Sequence, residues 1–243
     1  EGTLAVITAV ILRLIPKPLA RKTMIAFFPD VPSAVKTVSN IIRNKIIPTI
    51  LECVDRLCLE CVRAEMHLSF PAQAGAMLLI EVDGDDVLVE REAEKVRDVC
   101  EHGRALKFEA ATDKAEADRL WDARRNISPS LYKLRPHKIS EDIVVPRSRM
   151  AELVGYLADL SQQYSLPIPA FGHAGDGNIH VNVMLDKNKT GELENAHAVV
   201  KALFRKVIQM GGTITGEHGI GITKAPYLEM EIPRAGLELM SRI

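Results

Sequence analysis

Residues 171–185 read FGHAGDGNIHVNVML. From Asn178 onward, polar and apolar residues alternate. Asn178, His180 and Asn182 point one way, and Ile179, Val181 and Val183 the other. A period of two predicts a strand with one face on a core. Before it, GDG supplies a turn in which glycine admits φ > 0, and residues 168–171 read as a second strand on the far side of that turn. The polar face carries none of the Lys or Glu expected of a solvated strand, which predicts a sheltered pocket. Folding back at GDG lets His173 and His180 converge on one point.

Working outward, segments of the two periods alternate along the chain. Strands are expected at 22–28, 46–54, 76–82, 105–110, 141–146, 168–171 and 178–185. Helices are expected at 30–44, through the cysteine-bearing stretch that follows residue 54, and at 86–101, 114–126, 149–164 and 190–210, with a short helical segment at the end. Strands this short, interleaved with helices, fit an α+β fold: ferredoxin-like units in which helices cover a mainly antiparallel sheet. A doubly wound parallel sheet would need longer all-apolar strands.

Composition narrows the function. The 243 residues are 47% hydrophobic and 26% charged, with a net charge of −1. That suits a globular protein with a sizeable core and gives no electrostatic case for nucleic acid or an anionic membrane. The apolar run at 4–15 contains Arg13 and is too short to span a bilayer. Cys53, Cys58 and Cys61, with Cys100 downstream, are spaced as in plant-type iron–sulfur proteins. The stretch ECVDRLCLECVRAEM is nevertheless made of helix formers, with no glycine to fold a loop around iron. These cysteines read as small buried hydrophobes, reduced as in a cytoplasmic protein.

A second glycine-rich segment, GGTITGEHGIG at 211–221, again sets Glu and His among glycines. Two neutral imidazoles and a carboxylate suit Zn, Mn, Co or Fe. His173 and His180 supply the imidazoles. Asp176 and Glu217 both remain candidates for the carboxylate on sequence grounds. Other readings of such a trio are a non-haem metal oxygenase and a purely structural metal module.

FGHAGDGNIHVNV followed by GGTITGEHGIGITK resembles the C-terminal domain of FAD-linked oxidases: D-lactate dehydrogenases, the flavin subunit of glycolate oxidase and D-2-hydroxyglutarate dehydrogenases. RLWDARRNISPSL and EDIVVPRSRM fit the same family, and the opening EGTLAVITAVILRLIPKP resembles the last strands of its FAD-binding domain. The resemblance implies a division of the chain. Residues 1–20 are a remnant of the FAD-binding domain, with Glu1, Gly2 and Ile7 on the cofactor side, and 21–243 are the substrate domain, lacking its usual C-terminal tail. It implies FAD, bound mainly by the absent domain, and a divalent metal such as Zn or Mn held by His173, His180 and Glu217. His218 becomes the base, and Arg124 and Asn182 become substrate-binding residues. The substrate would be a small 2-hydroxy acid of the D-lactate or glycolate type, oxidised by hydride transfer from C2 to FAD. The family also includes ether-lipid synthases, which use the flavin for a transferase reaction. Two positions depart from the pattern: Ala5 stands where glycine is usual, and Ser140 where the hydroxyglutarate enzymes place a lysine. Without the family, Arg124 reads as a surface arginine paired with Asp122 or Glu116.

Overall fold

Four aspartates punctuate the first half of the chain. Asp30, Asp55, Asp85 and Asp113 each end an extended segment, and each side chain accepts a backbone N–H three residues on, at 2.7 to 2.9 Å. Each such cap is worth about 1 kcal/mol and fixes where the backbone turns helical. The computed structural model, which describes residues 4–63 and 70–243, shows the elements they separate. They are β1 (Ala20–Phe28), α1 (Val31–Arg43), β2 (Ile50–Asp55), α2 (Arg56–Val62), β3 (Ala76–Gly84), α3 (Asp86–His102), β4 (Lys107–Ala110) and α4 (Lys114–Arg125). Then follow α5 (Ile127–Ser130), β5 (His137–Val144), α6 (Met150–Tyr164), β6 (Ala170–His173), β7 (Asn178–Leu185), α7 (Glu192–Gln209), α8 (Gly221–Lys224) and α9 (Arg234–Met240).

The strands form one sheet in the order β4-β1-β3-β2-β6-β7-β5, and every pairing is antiparallel. The expected α+β class is therefore observed. The first four strands with α1 and α3 make one split β-α-β unit. The remaining three strands with α6 and α7 make a second, whose fourth strand is reduced to a single bridge between Val144 and Thr213. The halves join where β2 pairs β6, with Glu52 opposite His173, Cys53 opposite Gly172 and Val54 opposite Phe171. Asp55 braces that seam, because its second oxygen accepts the Ala170 N–H at 2.7 Å. Burial lifts its pKa to about 6.

The two faces of the sheet differ. On one, Met24, Leu78, Ile80, Cys53, Ile179, Val181 and Val183 pack with α1, α3, α6 and α7 into the larger core. On the other, Ile25, Phe27, Met77, Leu79, Val54, Phe171 and Met184 meet α2, α4 and α5 in a smaller one. The alternation read in NIHVNVML is the observed one. The second face is only partly covered by its helices, and the polar residues lie there.

Several boundaries differ from expectation. β2 starts at Ile50 rather than residue 46, since Lys45 takes φ 60° and Pro48 has no N–H to donate to a ladder. The cysteine helix starts at Arg56, so Cys53 belongs to β2, and residues 64–66 of that stretch lie outside the described residues. β5 begins four residues earlier than read, at His137. Residues 4–19 form no helix or strand, contrary to the strands expected there. Their apolar side chains are exposed, Ile7 at 82%, with no neighbouring strand to pair with. Cys53, Cys58, Cys61 and Cys100 are buried, with burial pushing the thiols of Cys53 and Cys100 up to about 12. No helix among the described residues is long and apolar enough to cross a membrane.

Candidate metal and substrate site

The site lies on the second face, at the seam between the two halves of the sheet. Its geometry follows from register. Phe171 stands opposite His180 across β6 and β7, so His173, two residues on and on the same face, sits diagonally from His180. The two rings meet edge to face, 5.4 Å apart. The turn that permits this needs glycine. Gly177 has φ +79°, and a Cβ there would lie 2.1 Å from the Val145 carbonyl oxygen.

Each imidazole has a buried carboxylate directly opposite it on the neighbouring strand. Glu52 faces His173, and its Oε1 pairs with His173 Nδ1. Asp142 faces His180, its Oδ1 3.8 Å from His180 Nδ1. Both rings therefore turn Nδ1 toward an acid and Nε2 toward the middle. There both Nε2 atoms approach one oxygen of Glu217, at 3.5 Å from His173 and 3.4 Å from His180.

Glu217 is brought there by the GEHG segment, which Asp142 holds by its backbone. Asp142 Oδ2 accepts the N–H groups of Gly216, Glu217 and His218 at 2.8, 2.8 and 2.9 Å, and Oδ1 accepts Asn178 Nδ2 at 2.7 Å. Burial alone would raise this carboxyl's pKa. The three N–H donors and the Asn178 amide outweigh it and hold it well below the ordinary 3.8. Gly216 lets the segment pass this close, since a Cβ would lie 1.7 Å from Asn178 Nδ2. From the other side, buried Lys224 on α8 donates to the carbonyls of Asp142 and Ile214, at 2.7 and 2.8 Å.

The donor set fits a divalent cation. Glu52 only accepts when ionised, so neutral His173 carries its ring hydrogen on Nδ1 and turns an Nε2 lone pair toward a carboxylate oxygen. Two imidazole nitrogens and a carboxylate oxygen that converge in this way form a donor set that could hold a cation. A carboxylate behind each imidazole is the arrangement that orients metal-binding histidines. Asp142, His180, Glu217 and His218 also offer ligand atoms within 4.8 Å of one another. Asp142 is already committed to four hydrogen bonds and acts behind His180. Burial, seconded by the neighbouring His173, lowers the His180 pKa against the opposing pull of Asp142 and Glu217, which favours the neutral form a metal needs.

Around this centre, His218 is more than half exposed, stacks on His180 at 5.3 Å, and has Nε2 3.8 Å from Glu217. Arg124 on α4 does not pair with Asp122 or Glu116. It reaches the seam, lies over the Phe171 ring with Cζ 4.5 Å from the centroid, and donates through Nε and Nη2 to Glu52 Oε2 at 2.8 and 2.6 Å. The neighbouring Arg125 takes Asp122 instead. Arg124 and His173 line a cleft of about 1160 Å³ that runs past Thr23, Glu81 and Trp121.

The remaining expected residues fall in different places. Asn182 shares the face of His180 but is fully buried. Its Oδ1 accepts from Ser140 Oγ at 2.9 Å, and its Nδ2 makes long contacts to the carbonyls of His180 and Pro169, at 3.3 and 3.5 Å. Asp176 is an exposed turn residue. Ile7 lies in the exposed N-terminal segment, and Glu1 and Gly2 lie outside the described residues. Sequence reasoning missed Glu52 and Asp142. The signal available was a carboxylate on the polar face of each strand, Glu52 in ILECVD and Asp142 in EDIVV.

Comparison with known proteins agrees with this architecture. Residues 17–243 match the family described as FAD linked oxidases, C-terminal domain. The chain is 41% identical over 243 residues to a protein named glycolate oxidase subunit GlcD from Bacillus subtilis, all of this chain against 52% of the relative. It is 36% identical over 224 residues to the protein of the same name from Escherichia coli K12, 92% of the chain against 45% of the relative. To a probable mitochondrial D-lactate dehydrogenase of Danio rerio it is 32% identical, 99% of the chain against 48% of the relative. The chain thus spans about half the length of the curated relatives it matches. Among solved structures, p-cresol methylhydroxylase shares the fold at a TM-score of 0.62 and 16% identity, over 82% of this chain and 45% of the other. The chain belongs to the FAD-linked oxidase C-terminal domain family.

Proposed function

We propose that this chain is the substrate domain of a flavin-dependent oxidoreductase acting on small 2-hydroxy acids of the glycolate or D-lactate type. The observation that carries the reading is the convergence of His173, His180 and Glu217 beside an accessible imidazole, His218, and a partly buried guanidinium, Arg124. The names of the relatives support the substrate class. Residues 1–20 are assigned to a flavin-binding unit, which would take up the exposed apolar side chains of residues 4–19.

In this reading His173, His180 and Glu217 hold a divalent ion, Zn or Mn. When bound, the ion supplies Lewis acidity at the substrate hydroxyl, and FAD supplies the acceptor for the hydride leaving C2. The chain's own residues do the rest. Arg124 lines the cleft, where a guanidinium would orient a substrate carboxylate through a charge-assisted fork. His218 Nε2 takes the hydroxyl proton, with Glu217 at 3.8 Å to stabilise the imidazolium that forms. Asn182 would offer its amide to a substrate oxygen in exchange for its two long carbonyl contacts. The test is anaerobic flavin reduction in the flavin-loaded protein. Glycolate or D-lactate should bleach the wild-type flavin, and His218→Ala should abolish bleaching while sparing flavin content. A wild-type flavin that no 2-hydroxy acid bleaches refutes the substrate class, and a variant reduced at the normal rate refutes the base.

A further inference from the structure

We infer that Glu52 is a positioning residue that couples the metal-holding and substrate-holding arms of the site; the inference rests on the roles proposed for His173 and Arg124. Glu52 sits on β2 in the first half of the sheet, and its side chain is 5% exposed. A carboxylate this buried is costly unless both oxygens are used. Both are used, by different partners. Oε1 pairs with His173 Nδ1, and Oε2 receives Nε and Nη2 of Arg124 at 2.8 and 2.6 Å. His173 lies 121 positions away in sequence and Arg124 72.

Two consequences follow from the chemistry of the carboxylate. As an acceptor only, it fixes the ring hydrogen of neutral His173 on Nδ1 and leaves Nε2 as the ligand atom facing Glu217, 3.5 Å away. It also holds the Arg124 guanidinium over Phe171, the residue directly across from His180. The position of the substrate's carboxylate and the orientation of a metal ligand are therefore set by one side chain.

Glu52→Gln separates these functions with little change of shape. An amide has one acceptor oxygen. Turned to His173, it presents an NH₂ to the Arg124 donors; turned to Arg124, it donates to His173 Nδ1 and forces the ring hydrogen onto Nε2. The measurement is Mn²⁺ affinity by chelator competition, together with KM and kcat for the 2-hydroxy acid, in flavin-loaded wild type and variant. The expected result is Mn²⁺ binding weakened roughly 10–100-fold and a raised KM, with flavin content and far-UV circular dichroism unchanged. If Glu52→Gln does not fold, Glu52→Asp, too short to reach both partners, should show the same paired losses. Wild-type Mn²⁺ affinity in either folded variant overturns the inference alone. A wild type that binds no divalent ion overturns the His173, His180 and Glu217 assignment as well.

Discussion

Asp142→Asn probes how the active segment is held. Asp142 takes the N–H groups of Gly216, Glu217 and His218 on Oδ2 and the Asn178 amide on Oδ1. Asparagine can keep its oxygen toward the three N–H groups, but its NH₂ then meets another NH₂ from Asn178. Each of the three bonds falls from charge-assisted to neutral, a loss of about 1 kcal/mol apiece, and a buried donor is orphaned at about 1–3 kcal/mol. Allowing for non-additivity, roughly 3–5 kcal/mol is removed, most of it from the segment 216–218 rather than from the sheet. Hydrogen exchange reads this locally. The amides of Gly216, Glu217 and His218 should exchange roughly 10²–10³ times faster in the variant, since 1.4 kcal/mol is tenfold, while core amides such as Val181 change far less. The contribution also has a pH signature. The native pKa is held below 3.8, so the stabilisation is complete above that value and fades as pH falls through the depressed native one. Unchanged exchange at 216–218 would refute the anchoring role.

Two further outcomes follow from the same neighbourhood. Burial raises the Glu141 pKa to about 7, against the opposing pull of Lys224 at 3.9 Å, so its folded value exceeds its unfolded one and stability should decline as pH rises from about 4.5 to 7. Glu141→Gln should therefore be more stable than wild type at pH 8, by up to about 3 kcal/mol in denaturant titrations, and indistinguishable from it at pH 4. Gly216→Ala must displace either Asn178 or the segment itself, because its Cβ would lie 1.7 Å from Asn178 Nδ2. It should cost about 1–3 kcal/mol and weaken divalent metal binding, both measurable on one preparation.

The sequence carried the local half of this structure well. The alternation in NIHVNVML placed His180 on a polar face, and Asp30, Asp55, Asp85 and Asp113 each stand where the backbone turns into one of the first four helices. The grouping of His173, His180 and Glu217 followed from two glycine-rich segments and the family they resemble. Non-local pairing was not legible. Glu52 reaches His173 through the β2–β6 seam, a contact that neither segment's periodicity encodes. Asp142 was read only as part of a strand, because its role depends on β5 lying beside β7 and on a bridge to Thr213 that brings GEHG back over it. Cys53 falls in the strand expected at 46–54, and pairing with β3 and β6 carries that strand one residue further, to Asp55, which then caps α2.

The central claim is that His173, His180 and Glu217 hold a metal. Elemental analysis of purified wild type against His180→Ala tests it most directly. The expected result is a single divalent ion per wild-type chain and its loss in the variant, with the fold retained because His180 lies at the rim of the smaller core. A metal-free wild type, or a variant with undiminished metal content, would contradict the assignment.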